Sequence, residues 1–184
     1  IDNIDINLIN KILEKKDVKV NIQDIHGNTP LLFAIQKHSP KLTDFILDFL
    51  QRNDVMKTIN PQNEVGTSPF LASVLDSDAK IFNKLLELRG VDLKCQNNDG
   101  KTALHLLINN FRQDDLFSRV KAINEKCPSI LNIMDKNDKT ALFSSIVNYN
   151  QNDGANYIRE MNNVISYLLD QDDIDLTLPE DLYP

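Results

Sequence analysis

The chain has 184 residues, 41% of them hydrophobic and 26% charged, the balance of a soluble folded domain long enough to bury a real core. Its formal net charge of -7 is unevenly placed, because Asp170, Asp172, Asp173, Asp175, Glu180 and Asp181 stand among the last fifteen residues without a base, leaving the remainder near neutral. No Lys or Arg cluster offers a basic face to phosphates, which argues against direct nucleic-acid binding, and no run approaches the roughly 18 apolar residues of a membrane span.

In chain order, residues 6–14 carry Leu8, Ile9, Ile12 and Leu13 at the spacing of a one-sided helix that must pack on something. Residues 17–24 then match residues 90–97 in character, and both segments lead into a turn. The first turn is Asp24-Ile25-His26-Gly27-Asn28, with Gly where a positive φ is needed. Thr29 follows as a helix N-cap and Pro30 as the first helical residue, where its missing N–H costs nothing. The pattern predicts a short helix over 30–37, a stop at Ser39-Pro40, and a second helix over 41–52 with Leu42, Phe45, Ile46, Phe49 and Leu50 inward. Residues 53–63 read as a connector.

The plan recurs three times. Asn63 to Gly66 precedes Ser68-Pro69, a helix over 69–75, and another over 79–89 that ends at Gly90, placed as a left-handed C′ residue. Asn97 to Gly100 precedes Thr102-Ala103-Leu104-His105, a helix over 103–109, a polar break, and a helix over 116–125 stopped by Pro128. In the fourth copy Asp138 replaces the turn Gly, as one of the few residues that tolerate a left-handed conformation; Thr140 caps a helix over 141–147, residues 148–156 form a break, and a helix spans 157–170. Asp173-Ile174-Asp175-Leu176 echoes Gly90-Val91-Asp92-Leu93, so that 180–183 falls where a fifth turn begins.

From Thr29 to Ser68 to Thr102 to Thr140 the periods are 39, 34 and 38 residues, the signature of an array in which each turn-and-two-helix unit buries its apolar face against its neighbours. Thr102-Ala103-Leu104-His105 and Thr29-Pro30-Leu31-Leu32-Phe33-Ala34, each after Asp/Asn-x-x-Gly-x, resemble the ankyrin repeat, whose signature is Thr-Pro-Leu-His-x-Ala in a unit of about 33 residues. The resemblance covers nearly the whole chain. It implies an all-α ankyrin-repeat solenoid in one domain: a partial unit over 1–23, units over 24–62, 63–96, 97–134 and 135–179, and the start of another over 180–184, the whole being expected to be a fragment of a larger protein. The sequence departs from the family pattern in keeping the motif His only at His105, in lacking the Gly-His between helices, and in two periods that run five or six residues long.

No constellation carries chemistry. His105 stands as a general base or as a structural residue, and the resemblance implies the second, with its ring hydrogen-bonded to Thr102 to brace the turn. His26 falls at a turn tip and His38 at a helix end, where it can meet the last carbonyls. No Ser, Cys or Asp has a nucleophile's setting and no Gly-rich phosphate loop occurs. Cys95 and Cys127 lie far apart without metal-ligand spacing, and the acidic end lacks calcium-loop spacing, so reduced thiols and a solvated tail are expected, with no metal and no cofactor. With no signal-peptide pattern, the expectation is an intracellular, cytoplasmic or nuclear protein.

What remains is surface. The resemblance implies that turn tips and the exposed side of the first helices line a concave groove that binds a protein partner, without catalysis and with the chain itself a monomer. The alternative is a targeting or regulatory module of a larger enzyme. Carried over position by position, the contacts are Ile25, His26, Phe33, Gln36, Lys37, Val65, Leu75, Asp76, Asn98, Asp99, Asn109 and Lys136. Ile25, Phe33, Val65 and Leu75 are informative because they are apolar where water would otherwise touch them, although Phe33 and Leu75 also fit burial by neighbouring units. Asp76 and Asp99 favour a basic or mixed segment in the partner.

Overall fold

The computed structural model describes residues 5–15, 17–52, 55, 59–76, 78–110, 115–149 and 155–176. Among them every regular element is helical: α1 (Ile6–Leu13), α2 (Pro30–Gln36), α3 (Pro40–Phe49), α4 (Pro69–Ser73), α5 (Ala79–Glu87), α6 (Ala103–Ile108), α7 (Leu116–Lys126), a 3-10 turn (Pro128–Ile130), α8 (Ala141–Tyr149) and α9 (Ala155–Leu169). The chain divides into two compact units, the first through Val91 and the second from Asp92. The fifth turn expected over 180–183 lies outside the described residues.

In the first unit, α2 starts because the Thr29 hydroxyl accepts the Leu32 N–H at 3.2 Å while Pro30 takes the first helical position. Its inner face buries Leu31, Leu32 and Ile35, and α3 lays Leu42, Ile46 and Phe49 against it. Pro40, expected as a terminator, is instead the first helical residue of α3, the position that a residue without an N–H tolerates best. The reversal between the helices is made by His38, whose φ is 46°, a conformation uncommon outside glycine. All five residues of α4 are buried. Phe70 of α4 stacks on Phe82 of α5 with ring centroids 6.1 Å apart, the offset geometry that aromatic pairs favour.

The apolar stripe of α1 is less well covered than its sequence demands. No residue of α1 is buried, and Leu8 and Ile12 are exposed. Beneath it an apolar cavity of about 540 Å³ opens between Ile9 and Leu13 of α1, Leu31 of α2, and Phe45 and Phe49 of α3.

In the second unit α6 packs on α7 and α8, and α9 on both of those. The core is Leu104, Leu107, Val120, Ile123, Leu142, Met161 and Val164, with Arg119 buried among them and its Nε donating to Asp115 Oδ2 at 2.7 Å. Asn124 is also buried and donates from Nδ2 to Tyr167 Oη at 3.0 Å and Gln171 Oε1 at 2.8 Å, tying α7 to α9. Helix ends differ from expectation by one to three residues, most at α3, which stops at Phe49 rather than 52, while α8 and α9 run to Tyr149 and start at Ala155 inside the expected break.

Candidate functional site

The four turns share one construction. The side-chain oxygen of the leading Asp or Asn accepts backbone N–H groups two and four residues on: Asp24 from His26 and Asn28 (2.9 and 2.8 Å), Asn63 from Val65 and Thr67 (3.2 and 2.9 Å), Asn97 from Asp99 and Lys101 (3.0 and 2.9 Å), and Asp135 from Asn137 and Lys139 (2.8 and 3.1 Å). This is the mimicry of a backbone turn that makes Asp and Asn turn residues. It closes each loop so that the next residue pair projects as a tip, and a hydroxyl then caps the following helix: Thr29, Ser68 and Thr140 each receive the N–H three residues on at 3.2 Å.

Adjacent tips are bonded through their backbones. Within the first unit the Glu64 N–H donates to the His26 carbonyl at 2.9 Å, and within the second the Lys136 N–H donates to the Asp99 carbonyl at 2.9 Å. This approach is what demands glycine, since a Cβ on Gly27 would sit 3.0 Å from Asn63 Cα and one on Gly100 only 2.7 Å from Lys136 N. A further brace has its signal in the sequence, in Gln placed directly before the turn Asp or Asn in three copies. Gln23 Nε2 bonds the Gly27 and Gln62 carbonyls at 2.7 and 3.0 Å, Gln62 the Gly66 carbonyl at 2.7 Å, and Gln96 the Gly100 and Met134 carbonyls. Sequence reasoning missed it.

These turns place the expected contact residues as follows. Ile25 is 92% exposed, Val65 54%, Phe33 49% and Leu75 41%, so Phe33 and Leu75 both reach water, Phe33 from the wall of the cavity beneath α1. Lys37 lays its ammonium over the Phe33 ring, 4.5 Å from the centroid, a cation–π contact that leaves the ring edge open. Gln36, Asn98, Asp99 and Lys136 are exposed and Asn109 half-buried. His26 is exposed, with Nδ1 3.0 Å from Glu64 Oε1 of the next tip. Asp76 corrects the expectation of an open acidic contact. It is 5% exposed, its carboxylate accepting the Asp78 N–H at 3.0 Å and lying 3.5 Å from His38 Nδ1, because the residue falls just past the end of α4, where its carboxylate meets the turn into α5.

His105 is fully buried. Its Nε2 lies 2.8 Å from the Lys139 carbonyl, and its Nδ1 2.8 Å from Thr102 Oγ1 and 3.2 Å from the Thr102 N–H. Burial lowers its pKa below the ordinary histidine value, against the pull of the Lys139 carbonyl and Asp135. A ring with both nitrogens engaged and no exposed edge braces a turn; it does not meet a substrate. At Asp135 burial raises the carboxyl pKa, but the N–H groups of Asn137 and Lys139 together with His105 bring it below the usual carboxylate range. Asp24 is also lowered, chiefly by the Asn28 N–H. Among the described residues no cluster of three metal-ligating side chains occurs, and no helix is long and apolar enough to cross a membrane.

No family model matches the chain. It is 28% identical over 134 residues, 73% of its length, to a probable serine/threonine-protein kinase of Dictyostelium discoideum, and 31% identical over 108 residues, 56% of its length, to an NAD-dependent deacetylase of the same organism. It is 29% identical over 87 residues, 47% of its length, to an ankyrin repeat domain-containing protein of Stachybotrys chartarum. The chain spans 15%, 14% and 4% of these three relatives.

Proposed function

We propose that the chain is an ankyrin-repeat array and that its function is non-catalytic: it binds a protein partner through turn tips and the open side of its first helices. The observation that carries the reading is the set Ile25, Phe33, Val65 and Leu75. All four belong to the first unit, occupy a tip, a first helix or the turn just past one in two successive copies, and are apolar yet at least two-fifths exposed. Folding does not require apolar groups there. Binding energy concentrates in a few such anchors. The partial similarity to an ankyrin repeat domain-containing protein supports the same reading.

A second reading has its own support. Two relatives bear the names of enzymes, and the chain spans 15% and 14% of them, so it also fits a targeting or regulatory module of a longer enzyme. Either way the binding surface is the same.

The test is affinity capture with the 184-residue chain and with a Phe33→Ser/Leu75→Ser variant, quantified by mass spectrometry, with circular dichroism as a control for fold. A protein retained by the wild type and lost by the folded variant supports the groove; equal capture by both removes it.

A further inference from the structure

Position 105 differs from its counterparts in one chemical respect: where the other copies carry Leu32, Leu71 and Phe143, the third carries a group that titrates. The partners of the ring settle its proton. A backbone carbonyl only accepts, so Nε2 bears the hydrogen that goes to Lys139 at 2.8 Å, and the lone pair of Nδ1 receives the Thr102 donors. The Lys139 carbonyl also accepts the Asp135 N–H at 2.9 Å, and the Lys139 N–H returns to Asp135 Oδ1 at 3.1 Å. One neutral imidazole therefore joins the cap of α6 to the turn that starts α8.

A second proton is poorly accommodated there. Bound to Nδ1, it could donate to Thr102 Oγ1 at 2.8 Å only by turning that hydroxyl from donor to acceptor, and it would face the Thr102 N–H at the present 3.2 Å, setting donor against donor and taking that N–H group's acceptor from the helix cap. The resulting cation would sit at a fully buried position, and burying a charge costs far more than burying a neutral polar group. It is relieved only if the ring reaches water, which breaks the Lys139 bond as well.

We propose that His105 is an acid-labile latch: on mild acidification its ring leaves the site between Thr102 and Lys139, and the turn at 135–140 with the start of α8 loosens from α6. The corresponding joint of the first unit, with Leu32 and Leu71 at this position, has no such group.

The sign follows from linkage. The unfolded ring takes up its proton near about pH 6.5, whereas burial holds the folded ring below that value, with Lys101 adding to the effect and the Lys139 carbonyl and Asp135 opposing it. Between the two the unfolded state binds more protons, so stability is complete above about pH 6.5 and falls as pH drops toward the folded pKa. The other charges near the joint do not offset this: Lys139 holds its ammonium 5.6 Å over the Phe143 ring, Arg119 of α7 is bonded to Asp115, and α8 has no charged residue. Asp135, lowered below the usual carboxylate range, adds a separate loss only at pH values under about 4.

The test is hydrogen exchange by mass spectrometry on the 184-residue chain from pH 7.5 to 5, corrected for intrinsic exchange rates. Protection across 102–108 and 135–149 should fall by up to about tenfold per pH unit below 6.5, the limit for one proton. A His26→Gln/His38→Gln control should keep that loss. His105→Leu, the residue of two sister copies, and His105→Gln should abolish it. An unchanged pH profile in either folded variant, or a loss spread evenly over both units, overturns the proposal. Should neither variant fold, NMR titration of the wild type decides: the ring must titrate together with the Thr102 and Lys139 amides, and a ring that stays neutral to pH 5 refutes the latch.

Discussion

Two glycines with nearly the same backbone predict very different costs when a methyl group is added. Gly90 has φ 89° and Gly100 φ 77°, so an alanine at either must adopt a left-handed conformation, which costs roughly 1–2 kcal/mol. At Gly90 nothing stands within 4 Å of the new Cβ, and the backbone term is the whole penalty. At Gly100 the Cβ would lie 2.7 Å from Lys136 N and 3.0 Å from Asp135 C. These are backbone atoms of the next turn and cannot rotate aside, so the tips must separate. That separation loses the 2.9 Å Lys136-to-Asp99 bond, adding about 0.5–1.5 kcal/mol for an intramolecular hydrogen bond exchanged for water. Gly100→Ala should therefore cost about 1.5–3.5 kcal/mol and Gly90→Ala about 1–2. Urea unfolding followed by circular dichroism, with exchange protection read separately in the two units, measures both. Equal costs would show that the tips do not need their close approach.

Replacing His105 by Ala should lower stability by about 1–3 kcal/mol, for a buried polar group whose partners are left unsatisfied, with partner affinity unchanged in the folded fraction; a stable variant that loses binding would contradict the bracing role. Asn97→Ala removes the acceptor for two N–H groups and should cost about 1–2 kcal/mol by denaturant titration, whereas Asn97→Asp, the residue of two sister turns, should fold normally. Deleting residues 1–16 should lower the melting temperature, because it widens the cavity over Leu31 and Phe45; an unchanged melting temperature would count against units that stabilise one another.

The elements whose cause is local were legible in the sequence. Hydroxyl caps at Thr29, Ser68 and Thr140, the left-handed Gly90 and Asp138, and the buried stripes of α3, α5 and α7 could be read because turn chemistry and helical periodicity act over a few residues, whereas the stripe of α1 is not buried. The bracing of His105 by Thr102 came from the family motif, but the Lys139 carbonyl on its far side is 34 residues away and left no local trace. Asp76 failed for the same kind of reason. Its position just past a first helix reads as open, and its burial depends on how the chain turns into α5 and on His38, whose own φ of 46° no periodicity foretells. Phe33 and Leu75 were ambiguous between surface and core until their exposure was known.

The measurement that bears most directly on the proposed groove is the location of a captured partner on the surface, by chemical-shift perturbation in the 15N-labelled chain. The perturbed amides should cluster at Ile25, Phe33, Val65 and Leu75, and the perturbations should weaken in the Phe33→Ser/Leu75→Ser variant. Perturbations confined to the outward residues of α3 and α5, with those four unmoved, would contradict that groove.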